Sequence, residues 1–367
     1  MKQLLILFSA TVILTGCGDS KTDTAKAPAP APAPAPAQPP SVPEPPEPQP
    51  TPKQPKPPSI PVQTPAPPKQ PVPPKMDLDT RLAAYSIPPR WVATTKTNYD
   101  TNKPWKEARQ EIRRLLSLNQ QETHRQAMKL TWIYLQKNDI NDGHEYPMYT
   151  FMGGDNLWTI KAANWYINKP DSNAPILAFL YLASIYTQYG EYERAIRTLT
   201  LALTRLPEGP TKIMRQADIH DAFGDVLTAS GNIAAAKKNY QQAIQLYPTA
   251  KPKYGRHLLP RRAKKVQAKL DLLNYRPLSD ATLKDGRYTD KALGYSGDIN
   301  LTVIVKGGRV TDITANHKEK IDQGACVTVP QNIINQQTLK VDGVSGATVT
   351  KDAIVAGTYR ALKKAGL

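Results

Sequence analysis

The residues best placed to do chemistry lie near the C-terminus, in the stretch VDGVSGATVTKDAI from Val341 to Ile354. Gly346 and Ala347 let the backbone come close to a bulky ligand, and the hydroxyls of Ser345, Thr348 and Thr350 can hydrogen-bond phosphate oxygens. A helix beginning here, predicted over residues 351–364 with Val355, Tyr359 and Leu362 on one face, would add free amide groups and the positive end of its dipole. Such a turn suits an anion, above all a phosphate. The letters Ser-Gly-Ala-Thr serve equally well as a plain helix cap, so the surroundings must decide between the two readings.

Those surroundings have a strand-like period. Residues 299–305 (INLTVIV) read as a strand, Lys306-Gly307-Gly308 as a tight turn, and residues 309–315 as the returning strand of a β-hairpin. Gly286, Gly294 and Gly297 punctuate the chain before it and suggest bends or close backbone approach. A short helix is expected to start at Pro330–Ile334. Residues 277–367 therefore form an α+β domain large enough to bury one small core.

The order of DGRY, GYSG, the hairpin with its Gly-Gly turn, His317-Lys318-Glu319, Val329-Pro330 and finally DGVSGATVT resembles the FMN-binding domain family across residues 281–367. That family includes flavin-bearing subunits of sodium-pumping NADH:quinone reductases and Rnf-type complexes, and domains attached to extracytoplasmic fumarate-type reductases. Its Asp-x-x-Ser/Thr-Gly-Ala-Thr/Ser motif is where a flavin transferase joins FMN, taken from FAD, to a hydroxyl by a phosphoester bond. The resemblance matches Asp342, Ser345, Gly346, Ala347 and Thr348, and implies Thr348 as the acceptor of covalent FMN, with Thr350 its near competitor. It also implies a place near the flavin for His317 and Glu319, since the family often has a Glu there. Read as residues alone, these two are polar groups at a strand end that face water. The chain departs from the respiratory subunits after Glu319, where it runs Lys320-Ile321-Asp322 rather than through a glycine-rich stretch, and so compares better with the shorter, accessory form of the domain. Lys351 stands where the family commonly has Ser.

Upstream, residues 76–276 carry a helical period, with helices predicted over 105–116, 122–136 and 156–167. From residue 176 the small and large positions Ala183, Tyr186, Gly190, Tyr192, Ala195, Leu199, Ala202 and Pro207 fall on the pattern of the tetratricopeptide repeat. Gly224, Leu227, Gly231, Ala236, Tyr240, Ala243 and Pro248 repeat it, giving units at 176–209 and 217–250 with extra residues around 209–215 bulging between them. Two repeats are fewer than such stacks need, so the upstream helices and a basic helix near 258–274 are expected to complete it. The resemblance implies a concave protein-binding surface. The basic run Lys251–Lys265 reads as a solvated helix face or as a greeting for an acidic partner.

The N-terminus has Lys2, an apolar run from Leu4 to Gly16, and then Cys17, too short and wrongly flanked for a spanning helix and read as a secretion signal. Leu14-Thr15-Gly16-Cys17 resembles the lipobox of bacterial lipoproteins, which implies cleavage after residue 16 and a lipidated Cys17 as membrane anchor. Residues 17–75 are then a lipid-anchored tether, proline-dominated between Pro28 and Pro74, where neither helix nor sheet can form. Fully extended, it would reach on the order of 140 Å. Only Cys326 remains besides Cys17, which excludes an intrachain disulfide, and there is no CxxCH or cysteine cluster for haem or iron–sulfur chemistry. Cys326 reads as a small buried residue. The formal charge of +17 over 367 residues would suggest nucleic acid in a cytosolic protein; export turns it toward solubility, anionic lipid or an acidic redox partner.

The organisation expected is multidomain: a Pro-rich linker, an all-α TPR-like helical-repeat domain, and a small α+β FMN-binding domain. No nucleophile triad or metal cluster is visible, so an electron-transfer protein is expected before a stand-alone enzyme. It would sit at the cell or outer membrane, facing the periplasm or exterior. Its repeats would dock a protein partner, and a flavin transferase would mature it, with no role for nucleic acid. A lipoprotein scaffold acting through its repeats, with a C-terminal domain free of redox function, is the alternative.

Overall fold

The computed structural model describes residues 77–367 save 171–175, 276, 279–281 and 345, so the signal sequence, the tether, Cys17 and Ser345 lie outside the described residues. The described residues all belong to one compact unit, Pro71–Leu367.

Its first part is a stack of helices. Two short ones, α1 (Leu78–Ala84) and α2 (Trp91–Thr94), precede four antiparallel pairs: α3 (Trp105–Leu116) with α4 (Gln121–Gln136), α5 (Glu145–Met152) with α6 (Asn156–Ile167), α7 (Ile176–Gln188) with α8 (Tyr192–Thr204), and α9 (Lys212–Ala229) with α10 (Ile233–Thr249). The basic helix α11 (Leu259–Asp271) packs on α10 and closes the stack. The upstream helices do continue it, as the short repeat count requires, though α1, α2 and α5 carry too few periodic positions to be seen in the sequence.

Small residues set the crossings. Ala183, Ala195, Ala202, Ala236 and Ala243 are buried where paired helices meet. A Cβ on Gly224 would lie 2.2 Å from the Tyr240 ring, so α9 and α10 cross at a distance only glycine permits. Gly190 and Gly231 end α7 and α9 with positive φ (78° and 82°), the left-handed turn that glycine takes without cost. The extra residues between the repeats do not bulge as a loop throughout: those from Lys212 onward lengthen α9 to 18 residues. Trp105, Tyr134, Tyr149 and Trp158 fill the first half of the core, each burial contributing roughly 1.5–3 kcal/mol.

The basic run is a solvated face only in part: Lys251, Lys253, Arg256 and Lys264 are exposed, while three residues of α11 turn inward. Arg262 pairs with Asp218 at 2.9 Å, Arg261 meets Asp298 of the C-terminal domain, and Lys265 is half-buried, so α11 spends its charge holding α9 and the next domain.

That domain is a three-stranded antiparallel sheet, β1 (Gly286–Leu293), β2 (Asp298–Lys306) and β3 (Arg309–Asn316) in sequential order, with α12 (Ala325–Gln336) and α13 (Thr348–Lys364) packed on it. The glycine-punctuated segment read as bends is thus a strand. Gly286 and Gly297 bracket it and Gly294 opens its turn, which is why the glycines masked the alternation within. Ile299, Leu301, Val303 and Val305 send one face of β2 into the core. Gly307 and Gly308 take positive φ in the turn, and their amides donate to the Asp285 carboxylate at 2.9 and 3.0 Å, bonds that hold its pKa below the usual range. Two helices start earlier than expected. α12 begins at Ala325 with Pro330 inside it, and α13 begins at Thr348, so the motif threonines are in the helix rather than before it. A Cβ on Gly357 would lie 2.3 Å from Leu301, so α13 lies directly on the sheet.

Candidate functional site

The motif forms the turn that enters α13. Gly346 has φ 78°, a conformation other residues seldom adopt, and a Cβ there would fall 2.7 Å from the carbonyl oxygen of Phe151 at the end of α5. The cap residue, Ala347, is buried and has no side chain with which to cap the helix. The first turn of a 17-residue helix therefore presents its amides and the positive end of its dipole without a side-chain acceptor.

The two threonines differ in what surrounds them. Thr350 is 1% exposed, and its hydroxyl donates to Glu319 Oε2 at 3.2 Å. Thr348 is half-buried, and its hydroxyl makes no hydrogen bond to a described residue. Val349 between them is 40% exposed. Of the two, the hydroxyl open to reaction is that of Thr348.

Glu319 does not face water as a strand-end residue would. It is 8% exposed, its Oε1 accepts the Ser296 amide at 2.9 Å, and its own amide donates to His317 Nδ1 at 3.1 Å. A Cβ at Gly294 would lie 2.2 Å from Oε1, so that glycine leaves the room the carboxylate occupies. One side chain thus ties the β1–β2 turn, the exit of β3 and the first turn of α13 together. Asp342, by contrast, is exposed and has no hydrogen bond to a described residue, so the structure does not bring it to the hydroxyls.

The ligating atoms of His317, Asp322 and Cys326 lie within 4.8 Å of one another, a grouping hidden in the sequence because strand exit, loop and helix supply one residue each. Hydrogen bonding accounts for it. Asp322 accepts the amides of Gly324 (3.3 Å) and Cys326 (3.1 Å) at the start of α12, and His317 Nδ1 is occupied by the Glu319 amide. Burial, together with the adjacent Asp322, pushes the Cys326 thiol well above its ordinary pKa. The thiol stays neutral.

Residues of the helical stack complete the surroundings. The loop after Glu319 docks on it: Ile321 packs against the aromatic core, the Gln323 amide donates to Asn119 Oδ1 at 3.1 Å, and the Gln323 side chain donates to the Met152 carbonyl. The only sequence signal for this was the lone apolar Ile321 in a charged loop. On the side of α11, Lys269 pairs with Asp221 (3.0 Å), Asp225 (2.8 Å) and Asp352 (2.7 Å), the last one helical turn beyond Thr348. Burial opposes ionisation of Asp352, but Lys269, Lys351 and Lys265 outweigh it and hold the carboxyl down at about 2. At Asp221 burial prevails over the attraction of Lys269, reinforced by Asp225 and Asp352, and the carboxyl rises to about 6. A cleft of about 1040 Å³ between α11 and the sheet lies toward Arg360 and Lys363, twelve and more residues along α13, or about 18 Å from Thr348. It does not serve the motif.

Residues 294–363 match the family model of the FMN-binding domain, and residues 155–275 that of a tetratricopeptide repeat-like domain. The chain is 34% identical over 84 residues to the NADH:acrylate oxidoreductase of Vibrio harveyi, a match covering 22% of this chain and 8% of that protein. It is 32% identical over 92 residues to an uncharacterized protein of Treponema pallidum (strain Nichols), covering 24% of this chain and 26% of the other. The chain therefore spans about a quarter or less of the length of these relatives. No solved structure matches it. The C-terminal domain is an FMN-binding domain following a TPR-like helical region, which supports a flavoprotein role. Its residues fit an FMN phosphate: a left-handed glycine, an uncapped helix start and one unengaged hydroxyl converge on residues 346–348.

Proposed function

We propose that this chain is an electron-transfer flavoprotein held at a membrane outside the cytoplasm, with FMN joined to Thr348 by a phosphoester bond. The observation that carries this reading is the inequality of the two motif threonines: Thr350 is committed to Glu319, and Thr348, at the start of α13, makes no side-chain hydrogen bond among the described residues. In the joining step the Thr348 oxygen attacks the flavin-side phosphorus of FAD. A bond from oxygen to that phosphorus forms, the bond to AMP breaks, the hydroxyl proton is lost, and AMP leaves, with a flavin transferase as catalyst. The diester keeps one negative charge, which the positive end of α13 favours.

Bound FMN supplies one- and two-electron redox chemistry. The chain's own residues place and hold it: Gly346 lets the turn lie against α5, Glu319 fixes the first turn of α13, and Lys269 with Asp352 ties that turn to α11. The name of the Vibrio harveyi relative couples NADH to acrylate, which supports a setting in which such a domain relays electrons between partners. A lipidated Cys17 anchors the chain, and the helical repeats dock the donor or acceptor. A bond rather than a loose cofactor suits an exported protein, since flavin lost outside the cell is not readily replaced.

The test is export in a host with a flavin transferase, denaturation, in-gel flavin fluorescence, and mapping of the modified peptide by mass. Label on Thr348, lost in Thr348→Ala and kept in Thr350→Ala, is the expected result. Absence of label where a known acceptor domain is modified refutes the reading.

A further inference from the structure

A second feature lies against the same turn, in the helical stack. Gly153 and Gly154, between α5 and α6, line a cavity of about 290 Å³, near the lower bound for a small-molecule site. Gln323 links it to the motif. The position of a Cβ on Gly346 is 3.6 Å from Gln323 Cγ, and that of a Cβ on Gly154 is 3.9 Å from Gln323 Oε1.

The lining has an unusual balance of charge. Arg81 and Arg125 both face the cavity, and neither has a carboxylate partner among the described residues; Arg81 lies over Tyr189 (5.0 Å) and Arg125 over Trp91 (5.6 Å). Asp155, the carboxylate that also lines it, is already engaged by the Tyr85 hydroxyl and the Trp158 amide (3.0 Å). Two unpaired guanidinium groups beside two aromatic rings suit a flat, conjugated ligand that gains negative charge.

We infer that the helical stack completes the flavin site, the cavity beside Gly153 and Gly154 receiving the ring system of the FMN carried at Thr348, with Arg81 and Arg125 favouring its reduced form. This rests on the attachment proposed above. The repeat-like domain would then be a wall of the redox site as well as a docking surface. Positive charge beside a flavin stabilises the electron-rich reduced state and raises its potential; a nearby tryptophan quenches flavin emission.

The test uses the full chain matured by a flavin transferase. Wild type is compared with Arg81→Gln/Arg125→Gln, the lysine pair Arg81→Lys/Arg125→Lys, and Trp91→Leu, by redox titration and by flavin emission of the folded protein. The glutamine pair is expected to shift the midpoint to more negative potential and the lysine pair to hold it near wild type. Trp91→Leu is expected to raise emission several-fold; because Trp91 is part of the aromatic core, the glutamine pair, on half-buried side chains, tests the idea independently of folding. A potential unmoved by the glutamine pair, with Thr348 labelled in both proteins, overturns the inference and leaves the attachment intact. Failure to label Thr348 in wild type overturns the attachment itself.

Discussion

Lys269→Met removes the one ammonium group that Asp221, Asp225 and Asp352 share. Lys269 is 12% exposed and Asp352 9%, so water cannot replace what is lost. Removing one partner of a buried ion pair costs about 3–5 kcal/mol, and since Asp225 is 38% exposed the low end applies, about 3 kcal/mol. The pH dependence sharpens the test. Asp352, depressed to about 2, contributes stability present above the unfolded value near 4 and lost as pH falls toward 2. Asp221, raised to about 6, works the other way: its folded form holds a proton the unfolded chain has released, so stability falls as pH rises from about 4 to about 6. Without Lys269 the Asp221 and Asp352 carboxyls lose the charge that draws them down, and their protonation relieves the repulsion within the cluster. Urea unfolding of the full chain should show a deficit near 3 kcal/mol at pH 8 that shrinks by half or more at pH 5. A deficit below 1 kcal/mol, or one that does not change between those pH values, would refute the account of this cluster.

Thr350→Val leaves the buried Glu319 short of one donor and should cost about 1–3 kcal/mol in denaturant unfolding while flavin labelling of Thr348 persists. Gly346→Ala meets both a φ of 78° and a carbonyl oxygen at 2.7 Å; a loss of about 2 kcal/mol or more is expected, together with reduced labelling by mass. Cys326, 6% exposed and with its thiol pKa pushed up, should resist iodoacetamide in the native protein at pH 8 and react promptly in denaturant, as mass spectrometry would show.

The repeat half of the fold was readable because its signal is local. Ala183, Ala195 and Ala202 are small at positions where a helix must pass within reach of its neighbour, and their spacing is written in one stretch of chain. The first residue of α3 and the ends of α6 follow from the same kind of period. β1 was missed because the glycines that bound it are stronger local marks than the alternation inside it. At the site, the anion-friendly turn was visible in the letters; the resemblance singled out Thr348 over Thr350, but the physical basis of their inequality was not legible. It depends on Glu319, thirty-one positions away from Thr350, and on where α13 begins. The contacts with α5 and α11 were further out of reach, since Phe151, Gln323 and Lys269 have no pattern linking them to residue 346 or 352.

Those contacts bear on how the proposed function would work. The turn before α13 rests on the α5 carbonyls, and one helical turn later Asp352 is bound to α11. The start of α13, the proposed attachment point, is therefore fixed to the helical stack at both ends of its first turn. A partner bound to the repeats would be positioned relative to Thr348 by rigid elements, not by the tether. Electron transfer falls steeply with separation, so a fixed geometry favours one docked arrangement over an average of many. On the proposed function, a long tether would then cost no precision: it would set how far the folded unit searches from the membrane, and the helix pairs would set what the flavin faces once a partner is found.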